Sequence, residues 1–185
     1  MNSERKMPFI WKILALLLTM SFLMVASVTA QDVAVGQATA TVQTPLTVTA
    51  TAALAFGTIF QGVPVSVVET NASAGVFTMT GQAGSGISIF LQLPDYMSTA
   101  TGDDRMVISF STTDCAIDTS ANTDPTTFGS GWVNQNPYSL PSGVIIGTVS
   151  TQTALFLGGQ VLPTVDQTAG AYTADIILTV AYNGT

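Results

Sequence analysis

The chain has 185 residues, of which 47% are hydrophobic and 8% charged, with four basic residues against eleven acids and no histidine. Without histidine there is no Ser-His-Asp or Cys-His arrangement, and the general base most used near neutral pH is missing.

Arg5, Lys6 and Lys12 precede an apolar run from Ile13 to Val28 that ends in the small-residue sequence Val28-Thr29-Ala30. A basic head, an apolar middle and a small-residue end predict a secretory signal peptide over residues 1–30, cleaved after Ala30. Lys12 and Gln31 enclose 18 residues, short of the ~20 that span a bilayer, so no stable membrane span is expected after cleavage.

The remaining 155 residues carry ten acids and a single base, Arg105, for a net charge of −9. With almost nothing to neutralise phosphates, no nucleic-acid partner is expected, and no adhesion to anionic lipid headgroups. The absence of lysine after Ala30 removes Schiff-base chemistry and lysine cross-links. The length suits one domain, and Cys115, alone, forms no internal disulfide.

After Gln31 comes a stretch that changes phase. Val33 and Val35 fall on odd positions, Ala38, Ala40 and Val42 on even ones, with Gly36 between them. A one-residue slip turns every side chain of a strand to the opposite face. Gly36 therefore marks either a bulge or the joint of a separately docked arm, and residues 31–41 are set apart as an N-terminal arm preceding a domain over 42–185.

The domain is rich in threonine, with 26 after Ala30, and its apolar residues recur at period two, the signature of strands. Ala38, Ala40 and Val42 form a first stripe, read as the opening strand; Ile87, Ile89, Leu91 and Leu93 form a second, and Met106, Ile108 and Phe110 a third. Ala174, Ile176, Leu178, Val180 and Tyr182 form the longest, read as a core strand. Glycine, proline and asparagine turn signals separate the runs, and no amphipathic helix of ordinary length is visible. Residues 114–135, without such a pattern, read as a long surface excursion. The expected fold is all-β: a single-domain immunoglobulin-like or pilin-like β-sandwich of about 8–10 strands.

Candidate chemistry is sparse, and no enzyme activity, metal site or cofactor is expected. Asp103 with Asp104, or Asp114 with Asp118, are the only carboxylate pairs suggestive of glycoside hydrolysis, and they lie in polar turns that keep carboxylates solvated. Asp114, Asp118, Asn122 and Asp124 offer oxygens to calcium without the spacing of a calcium loop. Cys115 has no basic neighbour to lower its pKa, and reads as a small buried apolar residue; a bridge to another chain is the alternative.

Three blocks carry a resemblance: ATATVQTPLTVT (38–49) running into LAFGTI (54–59); GVFTMTG (75–81); and LGGQVLP (157–163) followed by AGAYT (169–173) and LTVAYN (178–183). Together they resemble a bacterial family of exported β-domains of unknown function, itself similar to the major subunits of Mat/Ecp common-pilus fimbriae. That resemblance implies an incomplete sandwich completed by the N-terminal arm of the next subunit, a form of β-augmentation. It also implies a periplasmic chaperone and an outer-membrane assembly protein as partners, and a secreted, periplasmic or cell-surface location. Val33, Val35, Gly36, Ala38 and Ala40 would form the donated arm. Burying four or five apolar side chains would contribute roughly 6–15 kcal/mol gross, toward the lower end for two valines and alanines.

Chaperone-bound pilins also end in an alternating strand with a glycine twelve residues before a near-terminal tyrosine. Gly170, Ile176, Leu178, Val180 and Tyr182 resemble that strand, with Asn183, Gly184 and Thr185 added beyond it. The leading functional expectation is a fimbrial subunit that self-assembles into polymers. The alternative is a monomeric secreted module that binds glycans or cell-surface polymers through Trp132, Asn134, Asn136 and Tyr138.

Overall fold

The computed structural model describes Phe9, Ile10, Ile13, Leu17, residues 34–148 and residues 150–184. The chain divides into two units, residues 1–41 and residues 42–185. Residues 1–30, the expected signal peptide, lie almost wholly outside the described residues, as does Val33. In the first unit, Ala34 to Thr41 adopts no strand.

The second unit is all-β. Its strands, in chain order, are β1 (Thr47–Ala52), β2 (Val65–Val67), β3 (Gly75–Thr80), β4 (Gly86–Gln92), β5 (Tyr96–Thr99), β6 (Arg105–Ser109) and β7 (Cys115–Asp118). They continue with β8 (Trp132–Gln135), β9 (Val144–Ile145), β10 (Gln152–Leu157), β11 (Gly159–Leu162), β12 (Tyr172–Thr173) and β13 (Ile177–Tyr182). One sheet has the order β1-β3-β10-β7-β8, a second β12-β5-β6-β11-β2 and a third β13-β4-β9.

All pairings in these sheets are antiparallel. β4 and β5 are separated by Leu93, Pro94 and Asp95, and the same two partners, β13 and β12, follow them in reverse order. Proline has no N–H to give to a ladder, so Pro94 bends what is otherwise one long strand pair and joins the second and third sheets into one layer. β10 and β11 are likewise one strand bent at Gly158, passing from the first sheet to the second, as corner strands do between packed sheets. A Cβ on Gly158 would collide with the backbone of Val67 and Glu69, which is why the corner carries no side chain. Counting each bent strand once gives ten strands among the described residues.

The two layers meet across one apolar core. Phe77 and Met79 (β3), Leu155 and Leu157 (β10) and Ile117 (β7) face Ile87, Ile89 and Leu91 (β4), Met106 and Ile108 (β6) and Val161 (β11). The alternation read from the sequence in β4 and β6 thus places the expected residues inward. Each such side chain, fully buried, stabilises the fold by ~1.5–3 kcal/mol.

Three expectations need correction. The first strand does not run through Ala38, Ala40 and Val42; it begins at Thr47, beyond Pro45. The excursion 114–135 is shorter, because Cys115 to Asp118 form a strand buried on both faces. Its inner face meets the core, and its sheet's outer face is covered near Val76, Ala154 and Phe156 by Trp132. A strand covered on both sides shows no alternation. Finally, β13 is an edge strand, paired among the described residues with β4 alone.

Candidate assembly edge

β13 alternates strictly, with Leu178, Val180 and Tyr182 half-buried against the core and Ile177, Thr179 and Ala181 exposed. Ile176, just ahead of the strand, also packs on the core, whereas Gly170 is exposed in the bend before β12. Asn183 donates to the Gly86 carbonyl, which sets the phase of the ladder. Odd-numbered residues of β13 exchange bonds with β4, and the N–H and C=O groups of Leu178 and Val180 point off the free edge.

That edge carries none of the usual protections. Six consecutive residues, ILTVAY, pair without a register shift and contain no charge and no proline, whereas edge strands are ordinarily blunted by lysine, proline, bulges or brevity.

β1, the edge of the facing sheet, runs along the same side of the domain. At one end the Tyr182 hydroxyl donates to the Thr44 carbonyl (2.7 Å) and accepts from the Gln82 amide (2.6 Å). At the other end, Leu54 and Phe56, just beyond β1, face Met97 and Tyr172 across a cleft of about 290 Å³. β1 itself is exposed at every position, including Val48 and Ala50, whose parity turns them inward with Met79 and Phe77. The side chains between the two edges are therefore only partly covered: apolar groups that a further strand would bury.

The candidate arm residues Val35, Gly36, Ala38 and Ala40 are exposed and belong to no strand, and Val35 is 88% exposed. A bulge at Gly36 within a paired strand is thus not what the described residues show.

Near the second end of β1, a polar cluster pins the loop that precedes β12. The Asp104 carboxylate accepts from the Tyr172 hydroxyl (2.6 Å), the Thr168 amide (2.8 Å) and the Gln167 side chain (2.8 Å). The Tyr172 hydroxyl above all, then Thr168, holds the Asp104 carboxyl well below the usual carboxylate range. Burial, with the neighbouring carboxylate, raises Tyr172. Asp104 was expected in a solvated turn pair with Asp103; its long-range partners are visible only once β5 and β12 are paired. A cleft of about 510 Å³ beside this cluster is lined by Phe60, Met106, Pro163 and Tyr172 among others.

The candidate glycan residues make contacts within the domain. The Trp132 ring stacks on Phe156 (4.7 Å between centroids) and meets the edge of Phe128 (4.9 Å), while its Nε1 donates to Asn134 (2.9 Å). Asn136 accepts from the Tyr138 amide, and the Tyr138 hydroxyl donates to the Phe110 carbonyl. Trp132 and Asn134 share the outward face of β8; Asn136 and Tyr138 belong to the turn beyond it.

The oxygens of the 118–131 loop are turned on the loop itself. Asp118 accepts from the amides of Ser120 and Gly129, and Asp124 from Thr126. Among the described residues no cluster of three or more His, Cys, Asp or Glu is placed to hold a metal ion. Cys115 is fully buried, and burial first, then the charges of Glu69 and Asp114, push its thiol up to about 12. A cleft of about 500 Å³ near this loop is lined by Thr119, Ser120, Ser130, Thr148 and Ser150, with hydroxyls and no titratable carboxylate or amine.

No family model matches the chain, and no curated protein matches it.

Proposed function

We propose that this is a non-enzymatic extracytoplasmic structural protein, a fimbrial or pilus-like subunit that polymerises by strand addition at the β1/β13 side of an immunoglobulin-like sandwich. The observation that carries the reading is the β13 edge: six uncharged, unbulged residues with free backbone groups at Leu178 and Val180, beside core side chains that are only half covered. Backbone hydrogen bonds to an added strand supply strength, and alternate side chains of the donor fill the apolar gap.

The donor in this reading is the arm from Gln31 to Thr41 of a second copy, with Val33 and Val35 as inserting residues. The expected signal peptide and the likeness of the sequence blocks to common-pilus subunits support a location in the periplasm or on the cell surface of a bacterium. A periplasmic chaperone that shields the same edge before assembly and an outer-membrane assembly protein follow as partners.

The test is deletion of residues 31–37 from the chain that begins at Gln31. The intact chain is expected to polymerise in sedimentation velocity, and the deleted chain to remain a folded monomer. Unchanged polymer formation by the deleted chain rules out donation by this arm.

A further inference from the structure

The outward face of the second layer is a surface separate from the assembly edge. From β4 through β5 the even-numbered Phe90, Gln92 and Tyr96 point outward, while Ile89, Leu91 and Met97 point into the core. The outward parity is the same before and after the bend at Pro94, so one exposed aromatic stands on the outward face of each strand. Phe90 is 66% and Tyr96 53% exposed. Six positions separate them, at most about 20 Å along the chain.

Cross-strand register adds an apolar row. Tyr96 lies opposite Val107, and Val107 opposite Leu162, all three exposed. Polar groups flank the row: Ser98 and, opposite it, the cationic Arg105 on one side, and on the other Gln160, whose amide donates to Ser66 (3.0 Å).

Charge narrows the occupant. Strands β2, β4, β5, β6 and β11 contain no carboxylate, and they hold Arg105, the single cation of a region with ten acids after Ala30. Three carboxylates lie at the margin of this face: Asp95, exposed between β4 and β5 next to Tyr96, Asp104 next to Arg105, and Asp175 between β12 and β13. The surrounding net charge of −9 repels polyanions, whereas it is indifferent to an uncharged polymer.

We propose that this face binds an extended neutral polysaccharide. Sugar rings stack on Phe90 and Tyr96, aromatic groups with an apolar face and few torsions to immobilise. The Val107–Leu162 row takes the C–H faces, and Gln92 and Ser98 pair with hydroxyls. The site does not depend on polymerisation, since neither aromatic belongs to the arm or to β13.

The test mixes the chain from Gln31 onward with insoluble cellulose, chitin and starch, and with alginate as a polyanion, and measures depletion from solution. Saturable depletion by at least one neutral polymer and none by alginate is expected. Phe90→Ala and Tyr96→Ala are each expected to weaken binding about 3–10-fold and the double variant to abolish it, with unchanged melting because both rings face solvent. Phe128→Ala, which removes an exposed aromatic of the loop before β8, is expected to bind as the parent does. Absence of depletion by every neutral polymer overturns the proposal, as does equal loss with Phe128→Ala. So does a double variant that keeps binding, or one that loses self-association instead and thereby assigns the face to a second copy.

Discussion

The Tyr182 hydroxyl, on the last strand of the fold, donates to the backbone carbonyl of Thr44 at 2.7 Å, 138 positions away in the sequence. The same oxygen accepts from the Gln82 amide, and a Cβ on Gly81 would collide with it. One phenol thus ties the end of β13 to the approach to β1 and the exit of β3. Tyr182→Phe leaves an amide and a carbonyl without their partner and is expected to cost about 1–3 kcal/mol in urea unfolding. A variant as stable as the parent means that water replaces the phenol at no cost.

Asp104 sets a dependence on acid. Its folded-state carboxyl lies below the ordinary carboxylate value because Tyr172, then Thr168, donate to the ionised form. A group lowered on folding contributes stability that is complete above its unfolded pKa, about 3.9, and is lost as pH falls toward the folded value. Asp104→Asn is therefore expected to lower the urea midpoint at pH 7, with the gap to the parent narrowing from about pH 4 downward. A gap that is constant across that range contradicts the role given to the carboxylate.

Cys115 is expected to be inert. A thiol pushed up to about 12 and fully buried carries almost no thiolate at pH 8, and thiolate is the reacting form. A thiol reagent is predicted to modify it only at the rate of global unfolding. Stoichiometric labelling of the native protein, or a covalent dimer lost on reduction, runs against this.

The corner at Gly158 allows no side chain. Gly158→Ala drives a methyl group into the backbone of Val67 and Glu69, and overpacking of this kind costs typically about 1–3 kcal/mol. Gly143→Ala, with open space around it, serves as the comparison. Equal melting temperatures for the two would mean that the bend is not held by this contact.

The inner faces of β4 and β6 were legible because one side of each strand is solvated, which writes a period of two into Ile87 to Leu93 and Met106 to Phe110. β7 was not, because Cys115 to Asp118 are covered on both sides. The alternation of β13 was read correctly as inward and outward, but an edge strand and a central strand with one solvated face write the same pattern. Whether a second neighbour pairs with Leu178 and Val180 is a property of the tertiary arrangement alone. Trp132 illustrates the converse: nothing in the asparagines around it reveals that its ring stacks on Phe156, 24 positions later in the chain. Phe90 and Tyr96 lie within or beside apolar runs and announce nothing in the sequence; their exposure follows from parity, once the inward residues are known.

The free edge of β13 is tested most directly by amide hydrogen exchange at Leu178 and Val180, compared between the chain lacking residues 31–37 and the assembled intact chain. The account predicts rapid exchange at both amides in the deleted monomer, and strong protection of both in the polymer, where a donated strand accepts their hydrogen bonds. Polymers in which Leu178 and Val180 still exchange as fast as in the monomer would contradict assembly at this edge.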